Sequence, residues 1–361
     1  MSVIKKIYTH LNPHLDEIVA IWLLNRFGEK VFPGISEITN PYKIQYLSGN
    51  RFPKSSEEYE AEGMLLIGTG GGRFDEHPSE DGKRKEDKCA ATLVADALGL
   101  SSDPAFDQIL RSTANNDLKG AGEPMGMAHI AKVRLERGDH PGKVMEWVFE
   151  GLDAMYENQK TFHHETAVSF ANIAEVKTVP GPKGEIKVAI VRSDNPQMST
   201  YARSLVGGGA AIVLQLKSTG HIAVMNNQKL GLKTTDLIRM IRVGERQKNN
   251  VTTPVDWKTL EAEGNNVEGA EVWWYQLGTG AILNGSPSVP NIAPTKLTVE
   301  EIFEMVKIAM DLNYFEPSRS ANCLKGKCTS SQKNPCPLYN LGLTRCRVIR
   351  AKNYEERKNK K

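Results

Sequence analysis

The chain has 361 residues, 40% hydrophobic and 25% charged, with a formal net charge of +3, which describes an ordinary globular protein long enough for two domains. No run of about eighteen apolar residues occurs, and the N-terminus lacks the charged-then-apolar pattern of a signal peptide, so the expectation is a cytoplasmic protein with no membrane partner. The charge is uneven: Arg319 to Lys361 carries a local balance of +10 and the remainder −7, and an acidic body with a basic tail points either to a polyanionic partner, nucleic acid first, or to a solvated tail that aids solubility.

The first predicted element is a strand from Val3 to Thr9, ending at His10. Asn12 then suits a helix N-cap and Pro13 a first helical position, and Ile18, Ile21, Trp22, Leu23 and Leu24 give the helix an apolar face as far as Phe27. Lys43 to Leu47 reads as a second strand. Met64 to Ile67 reads as a buried strand that breaks into Gly70-Gly71-Gly72. A helix from Lys88 to Leu98 follows a charged loop, and another from Pro104 to Thr113 leads to Asn115-Asn116-Asp117. Strands alternating with helices predict an α/β fold with a mostly parallel sheet covered on both faces, and ligands at the carboxyl ends of its strands.

Pro141 to Val176 reads as helical, and Pro180-Gly181-Pro182 predicts a domain boundary. A smaller α/β second domain follows. Its strands are expected at Ile186–Val191, Ala210–Leu216, Ile222–Met225, Val272–Leu277 and Ala281–Leu283, with helices at Gln197–Leu205, Thr235–Val243 and Val299–Met310. The predicted division is therefore residues 1–178, 183–313 and a basic tail at 314–361.

Two clusters near the N-terminus carry chemistry. In His10-Leu11-Asn12-Pro13-His14-Leu15-Asp16-Glu17, a strand end, a turn and a first helical turn offer His10, His14 and Asp16 to one point. Imidazole with carboxylate suits manganese, zinc or ferrous iron better than calcium. The plainer reading is that Asp16 complements the helix dipole and the histidines are turn residues. The second cluster, Gly70-Gly71-Gly72-Arg73-Phe74-Asp75-Glu76-His77, follows an apolar strand and presents Asp75, Glu76 and His77 in succession. Asp117 alone is a helix terminator.

Taken in order, these motifs resemble the DHH phosphoesterase superfamily, which includes RecJ-type nucleases and family II inorganic pyrophosphatases. They look closest to the melanocyte-proliferating-gene (MYG-type) branch of metal-dependent exonucleases. The stretch from Leu283-Asn284-Gly285-Ser286 to Pro294-Thr295-Lys296-Leu297 is similar to the C-terminal part of that branch, and the resemblance covers roughly residues 1–310. It implies that His10, His14 and Asp16 are metal ligands, that Asp75, Glu76 and His77 form the signature triplet, and that Asp117 is the fourth-motif carboxylate. It also implies a DHH-like N-terminal domain. The sequence departs from the pattern at Gly68 and Thr69, where the family usually has an aspartate bridging two metals, and at Glu76, where the triplet's first histidine normally ligates. One metal, two or none then fit.

The implied activity is metal-dependent hydrolysis of a phosphodiester, in an exonuclease or oligonucleotide hydrolase with manganese or magnesium activating water, Asp75 and His77 catalytic, and single-stranded or short nucleic acid as partner. Two alternatives stand beside it: a degenerate scaffold that only binds nucleic acid, and a hydrolase of a small phosphorylated metabolite. Arg73 and the loop Gly207-Gly208-Gly209 are candidate phosphate contacts, although the loop reads more readily as a helix cap and tight turn. Arg192 and Arg203 supply charge nearby. Trp273, Trp274 and Tyr275 offer stacking surfaces or core. Self-association is left open.

Cys323, Cys328, Cys336 and Cys346 fall within 24 residues as Cys-x4-Cys-x7-Cys-x9-Cys. Four thiolates in a Gly-, Pro- and Ser-rich segment suit a tetrahedral zinc knuckle or an iron–sulfur cluster, with zinc expected first because a tail poor in apolar residues needs a metal to fold. Arg345, Arg347, Arg350 and Lys352 would give that knuckle a cationic face. The fifth cysteine, Cys89, reads as a small buried residue.

Overall fold

The computed structural model describes residues 3–48, 52–77, 87–285 and 291–358. The charged loop ahead of Lys88 and Ser286 of the segment above lie outside these. The chain divides into two compact units, Met1–Glu165 and Thr166–Lys361. The boundary lies ahead of the expected one because Pro180-Gly181-Pro182 is a hairpin turn inside the second unit, not a linker.

The first unit comprises β1 (Lys6–His10), α1 (Leu15–Phe27), α2 (Ile35–Ile38), β2 (Gln45–Leu47), α3 (Ser56–Ala61), β3 (Met64–Leu66), α4 (Ala90–Leu98), α5 (Pro104–Lys119), α6 (Met127–Glu136) and α7 (Pro141–Lys160). Its three strands form a parallel sheet in the order β2-β1-β3, with Tyr8 opposite both Gln45 and Leu66. Because β1 is central, its carboxyl end at His10 opens onto the loops that follow both neighbours. Helix α1 has no polar face over most of its length: Ile18 through Leu24 are all buried, and α4, α5 and α7 surround it. It starts at Leu15, not Pro13, because His14 is the N-cap and Glu17 at the third helical position accepts from the His14 backbone N–H at 2.6 Å.

Helix α5 runs on to Lys119, which places Asp117 in a last helical turn and not in a loop beyond it. A π-helical turn, Thr161–Thr166, joins α7 to α8 (Ala167–Ile173).

The second unit holds α8, β4 (Glu175–Gly181), β5 (Gly184–Arg192), α9 (Met198–Arg203), β6 (Ile212–Leu216), β7 (Ile222–Asn226), α10 (Thr235–Lys248), α11 (Trp257–Glu261), β8 (Trp273–Gln276), β9 (Ala281–Asn284), α12 (Val299–Met310), α13 (Ser320–Leu324), α14 (Pro337–Asn340) and α15 (Thr344–Lys358). Its sheet runs β4-β5-β6-β7-β9-β8, and only β5 and β6 are parallel. The expected mostly parallel sheet is found in the first unit, and the second α/β unit has a mixed sheet. Short turns join β4 to β5, β6 to β7 and β8 to β9, and such turns reverse the chain.

Side chains alternate across this sheet. Val188, Ile190, Ile212 and Leu214 face a core built with α10 and α12, whereas Ala189, Val191 and Val213 face Met198 and Ala202 of α9. The C-terminal segment joins the larger core through Cys336, Leu338, Leu343 and Cys346. It is part of the second unit, not a separate tail. Among the described residues no helix is long and apolar enough to cross a membrane.

The core also contains charge. Arg242 is fully buried and donates to the carbonyls of Leu260 at 2.9 Å, Ala262 at 2.8 Å, Trp273 at 3.3 Å, and Gly264. Burial lowers its pKa to about 10, so it stays protonated at neutral pH. Arg242→Met keeps the volume but leaves these carbonyls unsatisfied, and a loss of about 3–5 kcal/mol in urea unfolding is expected. A loss under about 1 kcal/mol would show that water replaces the guanidinium.

Candidate metal centre

Each candidate ligand is placed by local sequence. The loop after β3 folds back on itself: Gly68 N–H donates to the Phe74 carbonyl at 2.8 Å, and Asp75 N–H to the Gly72 carbonyl at 3.2 Å. The turn depends on glycine, since Gly70 and Gly71 have φ of +80° and +72°. Asp75 locks it by accepting from Gly71 N–H at 2.7 Å and from His77 N–H at 3.0 Å. The triplet is thereby held rigid beneath the end of β1.

Glu17 occupies the centre of the β1–α1 turn. Its Oε1 accepts from Thr9 Oγ1 at 3.0 Å and lies 2.6 Å from His10 Nδ1, while Oε2 takes the His14 N–H. A Cβ on Gly68 would sit 2.7 Å from that same Oε1. The volume in which an aspartate at 68 would project is therefore filled by the Glu17 carboxylate. Thr69 next to it is buried, and its Oγ1 has no hydrogen-bond partner among the described residues.

Three sets of ligand atoms lie within 4.8 Å of one another: His14, Asp16 and Glu17; Asp75, Glu76 and His77; and Asp16, Glu76 and Asp117. The last set brings together three remote segments, the start of α1, the loop after β3 and the end of α5. Asp16 and Glu76 are buried, and Ala90 N–H at the start of α4 donates to Asp16 Oδ2 at 3.3 Å. The Asp16 pKa is raised well above the ordinary range, first by burial and then by the charges of Glu17, Asp117 and Glu76. Burial likewise raises Glu76, with His77 opposing and Asp117 and Asp75 adding to the effect. Crowded carboxylates form a donor set suited to a hard divalent cation.

His10 is turned to Glu17, and its ring centroid lies 6.4 Å from that of His77. His77 Nδ1 lies 2.8 Å from Asp75 Oδ1. Of the candidate ligands, Asp16, Glu76 and Asp117 meet from three separate segments, His14 joins through Asp16, and Asp75 and His77 join through Glu76.

A cleft of about 660 Å³ borders the cluster, lined by His14, Asn116, Asp117, His129 and Lys132 among others. His129 and Lys132 on α6 are exposed and had no signal in the sequence, since nothing local ties α6 to the ligand motifs. Glu17 stood in plain view as the third residue of a capping box.

The remaining candidate contacts are committed elsewhere. Arg73 pairs with Glu60 at 2.6 Å and lies over the rings of Phe32 and Phe74. Gly207 N–H goes to Ser204 Oγ, Gly208 N–H to the Leu205 carbonyl and Gly209 N–H to the Ser204 carbonyl, so this loop is a helix cap and tight turn and not a phosphate cradle. Arg203 donates to the Ser199 and Asn226 carbonyls, and Arg192 pairs with Glu175 and Glu300. Arg345 is buried with its Nε on the Tyr314 carbonyl, and Arg347 lies 3.8 Å over Trp257. Both are packing cations, whereas Arg350 and Lys352 of α15 are exposed. Trp273 and Tyr275 are core, whereas Trp274 is half-exposed.

No family model, no curated protein and no solved structure matches this chain.

Proposed function

We propose that the first unit is a divalent-metal-dependent phosphodiesterase acting on short or single-stranded nucleic acid, as the likeness to DHH phosphoesterases implies. The observation that carries this reading is the meeting of Asp16, Glu76 and Asp117 within 4.8 Å, beside a cleft lined by Lys132 and His129. Asp16, Glu76 and Asp117 would hold the ion, with His14 and Asp75 at its margins. A divalent ion in this position makes water acidic enough to supply hydroxide near neutral pH and offsets the negative charge of a phosphate.

The protein's own groups complete the chemistry. Glu17 holds His10 and the α1 N-terminus in place. Asp75 fixes His77 through Nδ1, so that Nε2 is the nitrogen that can carry a proton to the leaving oxygen. Lys132 would draw a phosphate into the cleft.

The test is hydrolysis of a dinucleotide and a short oligonucleotide by the full chain, with manganese or magnesium added to chelator-treated protein. Nucleotide release that depends on the ion supports the reading. Tight oligonucleotide binding without release under any divalent ion would leave the chain a binding protein. Turnover of small phosphate monoesters alone would move it to metabolite hydrolysis.

A further inference from the structure

The four C-terminal cysteines come from separate pieces of the second unit. Cys323 lies on α13, Cys328 in the loop after it, Cys336 is the N-cap of α14, and Cys346 is in the first turn of α15. All four are unpaired thiols, and with Arg319 and Tyr339 they line one small cavity of about 10 Å³. Cys336 and Cys346 are held in the core, whereas Cys323 and Cys328 are half-buried. Polar ties close the loop around them: Cys328 N–H donates to Asn353 Oδ1 at 2.8 Å, Cys336 N–H to Ser330 Oγ at 3.0 Å, and Asn353 Nδ2 to the Gly326 carbonyl at 2.7 Å.

Size, lining and charge bear on the occupant. The cavity holds about one water-sized sphere, so a single ion fits and a multi-iron cluster does not. Water suits it poorly, because a buried water needs several polar partners and thiols are weak donors and weak acceptors. Arg319 lines the cavity and is buried, and its Nη1 has no hydrogen-bond partner among the described residues. Arg345, next in the chain to Cys346, is likewise buried with both Nη atoms unpartnered. Buried donors left over at such a place call for a negative group. Four neutral thiols supply none, whereas four thiolates around one divalent cation form a dianion.

We propose that Cys323, Cys328, Cys336 and Cys346 bind a single zinc ion, with Arg319 facing the resulting dianion. Four-sulfur tetrahedral sites take zinc or iron–sulfur clusters, and the volume leaves zinc. Each thiol gives its proton to solvent as its sulfur–zinc bond forms, and no electrons change hands. Among the described residues no three of the sulfurs lie within 4.8 Å of one another, whereas bonds of about 2.3 Å to one ion set them about 3.8 Å apart. The ion therefore draws the thiols inward, and Cys323 and Cys328, nearer solvent on either side of Gly326, supply that movement. With four protein ligands the site has no open position and its role is structural. It ties α13 to α14 and α15, which carry Leu338 and Leu343 into the core.

The test is zinc, iron and acid-labile sulfide measured on the full-length protein, with the visible spectrum after cobalt(II) replaces the bound metal. About one zinc per chain and intense thiolate-to-cobalt charge-transfer bands are expected, and both are lost when Cys323→Ala and Cys328→Ala are combined. Those two side chains lie outside the core, so the exchange spares its packing. Absence of the thiolate bands overturns the proposal, as does iron in place of zinc, with or without labile sulfide, or zinc content unchanged in the double variant. Charge transfer from sulfur cannot arise at the carboxylate site of the first unit, so the two sites succeed or fail separately. The parent's cobalt spectrum decides the matter should the double variant fail to fold.

Discussion

Asp16→Asn is expected to abolish metal-dependent hydrolysis while stabilising the metal-free protein. The loss should be roughly a hundredfold or more in kcat/KM, because one ligand charge disappears from the set that Asp16 shares with Glu76 and Asp117. The gain arises because burial and the charges of Glu17, Asp117 and Glu76 raise the Asp16 pKa, so in the absence of metal the ionised form works against folding. A raised carboxyl pKa contributes stability that is fully present below the unfolded value and is lost as pH rises through the folded value. The metal-free melting temperature should therefore fall as pH climbs from about 4 toward neutrality, and the slope should flatten in Asp16→Asn. A stability gain at pH 7 is expected from the exchange. Added manganese should raise the parent's melting temperature most at high pH, where protons no longer compete for the ligands. A variant that loses stability at pH 7 and keeps its activity would show that Asp16 is only a helix-start residue.

Removing residues 316–361 is expected to unfold the second unit, not to release a docking arm. The removed stretch contributes Cys336, Leu338, Leu343 and Cys346 to the core, at about 1.5–3 kcal/mol for each large apolar side chain. It also takes away partners of buried charges. Asp236 accepts from Thr344 N–H and Oγ1, and Arg239 donates to the Gly342 carbonyl. Stripping both leaves an ion pair exposed at a hole in the core. The total approaches the whole stability of a domain of this size. The measurement is limited proteolysis, with rapid cutting throughout residues 166–315. A truncated chain as resistant as the parent would mean that the C-terminal segment only rests on the surface. The contribution of the basic segment to nucleic-acid binding is better read from the exposed Arg350 and Lys352.

The first unit was largely legible because its chemistry is local. His10, His14 and Asp16 lie within one strand–turn–helix, and the glycines at 70–72 announced the turn that carries Asp75 to His77. The approach of Asp117 rested on resemblance, since the fold must first lay the end of α5 beside α1. The helix start was misplaced because Asn12 is a good cap in isolation, but the reciprocal His14–Glu17 pair satisfies two backbone donors. The strands of the second sheet were legible but not their directions, because strand spacing does not state direction. A five-residue return between β6 and β7 forces antiparallel pairing. Arg345 and Arg347 looked like a cationic face because charge invites a surface reading. Their stems and guanidinium planes instead lie against Phe315 and Trp257. The C-terminal segment looked polar because only a few side chains, Leu338 and Leu343 among them, carry its burial.

The close approach of Gly68 to Glu17 links two positions 51 residues apart. An acid can enter that space from the helix or from the loop, but two together would collide. In any related chain, a side chain at the position of Gly68 should accompany a shortened residue at that of Glu17, and the pair should change in step. The carboxylate that fills this turn could thus be moved from one chain segment to the other by a double exchange, where either single change would jam the turn or empty it.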